Sequence, residues 1–214
     1  MRTLITIFFT VIALNMIGQD EESSGELFAV TVGVLPMMDF YQGSSYRIGI
    51  EKRLNHATSI FIQGGGYLPN FNLRSDFKGY NVRAEYKIFF KRENDSPVGQ
   101  YVALDCFHKN QAYTRIDTIR TDFIDDYTTK NRLNKSTTCI NIKYGYTQGA
   151  SKKIFFDIFA GLGLRIKNTR SNLSDEVFEN IDTGDSQTAS YELERGLLYR
   201  PNLTLGFRIG YRLR

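Results

Sequence analysis

Histidine, serine and carboxylate are the side chains from which an acyl-transfer site is assembled, with an acid orienting a base that activates a hydroxyl. The chain offers two histidines, His56 and His108, and the trio that could converge is Asp105, His108 and Ser136. No spacing singles these three out, so enzymatic activity is not expected. Acidic side chains cluster at Asp122, Asp125 and Asp126, and again at Asp175, Glu176, Glu179, Asp182 and Asp185. Such oxygens could hold Ca²⁺ or Mg²⁺ against lipid phosphate. The run Asp182-Thr183-Gly184-Asp185 falls far short of an EF-hand, however, so solvated loops are the adopted reading and no metal or other cofactor is expected.

The largest chemically capable set is a mixed-charge one: Arg47, Glu51, Arg53, Arg83, Glu85, Lys87, Asp105, Lys143, Asp157, Arg165, Arg208 and Arg212. These residues lie at alternate positions, opposed to apolar ones. Side chains alternate between the two faces of a strand, so one face is charged and the other apolar. The final stretch is the clearest example. Leu203, Leu205, Phe207, Ile209, Tyr211 and Leu213 share one face, while Thr204, Gly206, Arg208, Gly210 and Arg212 share the other.

The same pattern predicts eight strands, over positions 27–35, 46–54, 59–68, 80–90, 100 to about 112, 139–148, 154–167 and 203–213. Asn55-His56-Ala57, the 91–98 segment with Asn94-Asp95-Ser96-Pro97, and the 149–152 segment read as short turns. The other connections, about 36–45, 69–79, 113–138 and 168–201, are longer. Short turns alternating with long loops are the mark of an up-and-down barrel with both termini at the short-turn end. Gly64-Gly65-Gly66 in the third strand leaves room for coiling and for close approach of a neighbour.

The first residues read as an export signal over positions 1–19, with Arg2 as the basic start and an apolar run from Thr3 to Ile17 too short to span a bilayer as a helix. A short acidic linker, 20–25, would follow it, and the barrel would fill 26–214. Losing Arg2 from 27 basic residues leaves 26 against 23 acidic ones, a charge of +3. That mild excess is scattered through strands and argues against nucleic acid as a partner. Mean hydropathy is -0.31, which resembles a soluble protein because every second residue is polar. Cys106 and Cys139 are the two cysteines, and parity puts them on opposite faces, so they are expected as free thiols. Asn134-Lys135-Ser136 and Asn172-Leu173-Ser174 match a glycosylation pattern that carries little weight here.

Two features bear on which face is inside. Glycines at Gly49, Gly145, Gly161, Gly163, Gly206 and Gly210 share the charged face, as a narrow eight-stranded interior requires. Aromatics of the apolar face gather near strand ends: Tyr86, Phe90, Tyr144, Tyr146, Phe156 and Tyr211 toward the short turns, Tyr46 and Tyr80 toward the long loops. Rings around an aliphatic band suit a membrane barrel, with the charges forming a plugged lumen beside Phe89, Phe155 and Phe159. The fold class expected is all-β, an eight-stranded antiparallel up-and-down transmembrane β-barrel. A soluble lipocalin-like carrier, with the faces inverted, is the alternative.

The mature chain resembles the small eight-stranded outer-membrane proteins of Gram-negative bacteria, similar in architecture to the OmpA transmembrane domain. The resemblance is carried by the signal, by Tyr46 to Leu54 running into Gly64-Gly65-Gly66-Tyr67, and by Gly206-Phe207-Arg208-Ile209-Gly210-Tyr211. The last is similar to the signal read by the barrel-assembly machinery, with Gly206, Phe207, Ile209 and Tyr211 as its elements, although it ends in Arg214 and not an aromatic. The resemblance implies the outer membrane as location, periplasmic termini, and outer-membrane lipid and lipopolysaccharide as surroundings. The expected role is structural or partner-binding, through long outer loops and within a larger envelope complex. A lipid-modifying outer-membrane enzyme is the competing class.

Overall fold

The computed structural model describes residues 28–33, 45–55, 57–68, 75–90, 99–120, 127–150, 153–182 and 194–213. The export signal 1–19, the linker 20–25, His56, Asp122, Asp125, Asp126, Asp185 and Arg214 lie outside these described residues. Eight strands are present: β1 Phe28–Gly33, β2 Ser45–Arg53, β3 Thr58–Tyr67, β4 Ser75–Phe89, β5 Gly99–Ile119, β6 Tyr127–Gly149, β7 Ile154–Ser171 and β8 Gly196–Leu213. Among the described residues one short helix, α1 Asp175–Glu179, lies between β7 and β8. Each strand pairs antiparallel with its neighbours in sequence, and β8 pairs with β1 to close a barrel.

The registers set the barrel's shape. From Pro201 on β8 the paired positions run through Leu164, Ile140, Cys106, Ala84, Ile62, Ile50 and Val30, and return to β8 at Tyr211. The circuit therefore closes ten residues from its start, between positions 201 and 211. A stagger of that kind tilts the strands by about 35–45° and leaves an interior that side chains can fill. The alternation is explicit along β6, where Asn141, Lys143, Gly145 and Thr147 are buried while Ile142, Tyr144 and Tyr146 are exposed. The apolar face points outward, not into a ligand-holding core.

Local chemistry explains the tight end. Asn55 Oδ1 accepts from the Ala57 and Thr58 amides at 2.9 and 2.8 Å, an Asx turn that reverses the chain between β2 and β3. At the other end of these strands, a Cβ on Gly65 would run into the Tyr46 carbonyl, and the Tyr46 ring lies over Gly66. The glycine run thus lets β2 and β3 approach closely where Tyr46 folds over the sheet.

The upper ends differ from expectation. Positions 113–138 and 168–201 were expected as loops, yet β5 continues to Ile119, β6 begins at Tyr127, β7 continues to Ser171 and β8 begins at Gly196. On β5 and β6 some apolar side chains turn inward there. Tyr113, Ile119 and Leu133 face inward and join Tyr67, Phe77 and Ile181 in an apolar cluster inside the barrel. Leu173, Val177 and Phe178 at α1 pack against it, and Ile181 bridges to Ile119.

Candidate functional site

Eight lumen-facing ionic side chains form one connected network low in the barrel. Lys87 Nζ lies 2.8 Å from Glu51 Oε2 and 3.2 Å from Asp157 Oδ2. Arg208 continues from Asp157 Oδ2, 3.5 Å from Nη1, to Glu85 Oε1, 2.6 Å from Nη2. Lys143 Nζ then joins Glu85 Oε1 at 2.5 Å to Asp105 Oδ1 at 3.0 Å. Arg83 Nε spans the same two carboxylates, at 3.8 Å from Glu85 Oε1 and 3.2 Å from Asp105 Oδ1.

Four cations thereby meet four carboxylates, and every one of the eight is at most 9% exposed. Burying an isolated ion costs several kcal/mol, so a set like this persists only when each charge has close partners of opposite sign. Neutral donors reach three of the four carboxylates. Tyr101 Oη donates to Asp157 Oδ1 at 2.7 Å, Ser59 Oγ to Glu51 Oε1 at 2.6 Å, and Asn141 Nδ2 to Asp105 Oδ2 at 2.7 Å.

Aromatic rings fill the space between the charges. The Arg208 guanidinium lies 4.3 Å from the Phe61 ring and 4.2 Å from the Phe159 ring, and Lys143 Nζ is 4.3 Å from Phe159. Lys87 Nζ lies 4.7 Å from the Tyr101 ring, and Arg83 4.6 Å from Phe107. Cations over ring faces gain electrostatic attraction in addition to burial of the ring. Opposite these rings the wall carries glycine. Gly145 pairs with Tyr101, Gly206 with Phe159 and Gly210 with Phe155, and a Cβ on any of the three would fall within the partner's ring.

The remaining four residues of the expected charge set lie above and below this network. Arg53 Nε donates to the Asn55 carbonyl at 3.0 Å, and Arg212 lies 5.8 Å from the Phe155 ring, both at the short-turn end. Arg47 and Arg165 lie higher, with Arg47 5.2 Å from Phe107 and Arg165 donating to Asn202 Oδ1 through Nε at 3.0 Å and Nη2 at 2.5 Å. Sequence reasoning left Phe61, Tyr101, Phe107 and Lys135 out of the lumen. Parity would have placed Tyr101, Phe107 and Lys135, each an even number of positions from Asp105 or Lys143 on its own strand, whereas β3, which carries Phe61, has no residue of the expected lumen set.

Outside, Tyr46, Tyr80, Phe90, Tyr144, Tyr146 and Tyr211 are exposed, while Tyr86 and Phe156 are half-buried. Phe156 stacks on Phe207 with ring centroids 5.6 Å apart. Phe207, Ile209 and Tyr211 face outward on β8, and Gly206 faces inward against Phe159. Asp105, His108 and Ser136 do not converge. Asp105 is buried in the lumen network, whereas His108 takes outward parity, with Nδ1 2.9 Å from Thr138 Oγ1. Cys106 and Cys139 are free thiols on facing strands, Cys139 buried and opposite Phe107, Cys106 turned the other way opposite Ile140. Among the described residues no three His, Cys, Asp or Glu side chains gather as a metal site. No helix among them is long and apolar enough to cross a membrane.

No protein-family model matches the chain, and no curated protein matches it. Among solved structures, it is similar to the N-terminal β-barrel domain of OprF from Pseudomonas aeruginosa, at 11% identity and a TM-score of 0.36, over 88% of this chain and 96% of that one. A likeness at that level brings no activity, partner or location with it, and the barrel itself rests on this chain's own strand pairings.

Proposed function

We propose that the chain is an outer-membrane barrel that spans the bilayer with its strands, keeps its lumen closed and serves as a structural or partner-binding protein through its upper rim. The observation that carries this reading is the outward belt. Along β8 the unbroken apolar stretch below Pro201 runs from Leu203 to Leu213, which at ~3.3 Å per residue and a tilt of ~40° stands roughly 25 Å tall, with outward Tyr199 and Leu197 continuing above it. That is about the ~25 Å of the apolar band of outer-membrane barrels. Above that level the outward positions of β6 turn polar, through Ser136, Asn134, Arg132 and Lys130.

On this reading lipid, with lipopolysaccharide outermost, surrounds the belt, the aromatic residues sit at its two edges, and the termini are periplasmic. The assembly machinery would read Gly206, Phe207, Ile209 and Tyr211. The rim offers a partner one prominent element. Beyond the pairs Thr114↔Ser75 and Leu133↔Ser171, β5 and β6 pair with no other strand, up to Ile119↔Tyr127, so a two-stranded ribbon stands above its neighbours, braced at the end of β5 by the bridge from Ile119 to Ile181.

The test is fractionation followed by an unboiled-against-boiled gel in detergent. Recovery in the outer-membrane fraction with a mobility shift on boiling is the expected result. A protein that stays in solution without detergent would overturn the membrane reading. Closure of the lumen is tested separately, by the absence of stepwise conductance when the purified barrel is added to a planar bilayer.

A further inference from the structure

Two adjacent rows of outward side chains cross β4 to β7 in register near the top of the apolar belt. The lower row pairs Tyr80, Asn110, Ser136 and Asn168, and the upper row pairs Lys78, Ala112, Asn134 and Arg170. Arg132, the next outward position on β6, stands diagonal to Arg170, and Lys130 follows it. Further down the same four strands the rows turn apolar, as at Tyr86, Leu104, Ile142 and Leu162. In between, His108 and Thr138 satisfy each other at 2.9 Å. From below upward the outer wall therefore runs apolar, then neutral and polar, then cationic.

Lys78, Lys130, Arg132 and Arg170 are exposed, and among the described residues no carboxylate pairs with any of them. Asp76, on the same stretch of β4, instead accepts from Thr114 Oγ1 at 3.5 Å. The rest of the upper outer wall is different. At the upper ends of β2, β3 and β8 the outward positions are Tyr46, Gly66, Leu197 and Tyr199, so the cations are confined to one sector. Each outward step of two residues rises about 5 Å at ~3.3 Å per residue and a tilt of ~40°. Lys78 is one such step above Tyr80, and Arg170 is two above Ile166. Lipid heads occupy that range, since they extend a hydrocarbon core of ~30 Å to ~40–45 Å.

We infer that this sector of the outer wall docks a phosphorylated glycolipid, with its chains on the apolar rows, its sugar against the neutral polar row and its phosphate on Lys78, Arg132 and Arg170. The inference rests on the reading of the wall as lipid-facing and adds which lipid the wall selects and where. Phenol, amide and hydroxyl groups side by side both donate and accept, as sugar hydroxyls do. Guanidinium forks match the several acceptor oxygens of a phosphate, and basic clusters at a membrane surface draw anionic heads. A phosphatidylcholine head brings its own cation and no sugar, so it gains little on either row. An acidic peptide would meet the same cations but leave the polar and apolar rows beneath them unused.

The test first offers the folded barrel to phosphatidylcholine vesicles and reads insertion on an unboiled gel. The protein is then taken into uncharged detergent with EDTA, so that no divalent ion bridges, and titrated with diphosphorylated lipid A, with the same lipid stripped of phosphate, and with a polyglutamate peptide. Bound ligand is counted by native mass spectrometry. Saturable binding of lipid A, about tenfold or more tighter than its dephosphorylated form, is the expected result. Arg132→Gln/Arg170→Gln should remove most of that difference, while Lys52→Gln, an outward cation at the short-turn end, should bind as the wild type does. Both arginines are exposed, so the pair should fold, and Arg170→Gln alone gives the same comparison should it not. A barrel that inserts yet binds both lipids alike, or whose arginine-substituted form binds as the wild type does, overturns the docking site and leaves the membrane reading standing. Tighter binding of polyglutamate than of lipid A would give the cations to an acidic protein and overturn it too, and a barrel that does not insert removes both readings.

Discussion

Glu85 Oε1 accepts from Lys143 Nζ at 2.5 Å and from Arg208 Nη2 at 2.6 Å, so one oxygen on β4 ties together cations from β6 and β8. Those strands are not its neighbours, and the bond pair therefore runs across the lumen. Glu85→Gln keeps the shape and removes the charge, leaving Lys143 with Asp105 and Arg208 with Asp157 as their remaining carboxylates. Breaking a buried pair on one side costs about 3–5 kcal/mol. Urea unfolding of the detergent-folded protein, followed by circular dichroism because the chain has no Trp, should show that loss. Glu85→Gln combined with Lys143→Met restores the charge balance and should cost less than the sum of the two single changes.

Glycine and ring exchange volume across the β7–β8 pair in the same way. A Cβ at Gly206 would enter the Phe159 ring, so Gly206→Ala should lower stability by about 1–3 kcal/mol through overpacking. Phe159→Leu first makes room, and Gly206→Ala in that background should cost less. Gly64 is the control, since a Cβ there meets nothing within 4 Å. Gly64→Ala should be neutral or stabilising by up to ~1 kcal/mol.

The strands and the polarity of their faces were legible because the belt and the lumen differ in solvent at every second residue. Ile142, Tyr144 and Tyr146 against Asn141, Lys143 and Gly145 reports this directly. The signal fails above the belt. There Thr114, Arg115, Ile116, Asp117 and Thr118 have water or polar partners on both sides, while Tyr113 and Ile119 turn inward to the apolar cluster, so the period survives in the backbone and vanishes from hydropathy. The charge set was legible for the same reason of parity, but not its division. Which eight of these charges meet in the network depends on how far each strand is staggered, and that is set by pairing registers which hydropathy does not encode.

Cys106 and Cys139 sit on adjacent strands with their side chains on opposite faces of the wall. A bridge would require one of them to pass through the sheet, against the short Cβ separation a disulfide needs. Gel mobility and the urea midpoint should therefore be the same with and without reductant. Two thiols should titrate after unfolding, and a reductant-dependent shift in midpoint would contradict the observed register.

Leu205 and Ile116 are equally open to their surroundings, 68% and 69% exposed, and both face outward. Their levels differ. Leu205 lies inside the belt between Leu203 and Phe207 on β8, whereas Ile116 lies on the β5–β6 ribbon, opposite Lys130 and above the last pairing with β4. If lipid surrounds the belt, Leu205→Arg carries a cation into the apolar band and should cost about 1–3 kcal/mol, while Ile116→Arg, in water, should cost about 0–1 kcal/mol. In a barrel surrounded by water throughout, two exposed apolar residues should tolerate arginine alike. Unfolding both variants in lipid vesicles measures the difference, and equal stability would place the whole outer wall in one solvent and remove the membrane from the reading of this fold.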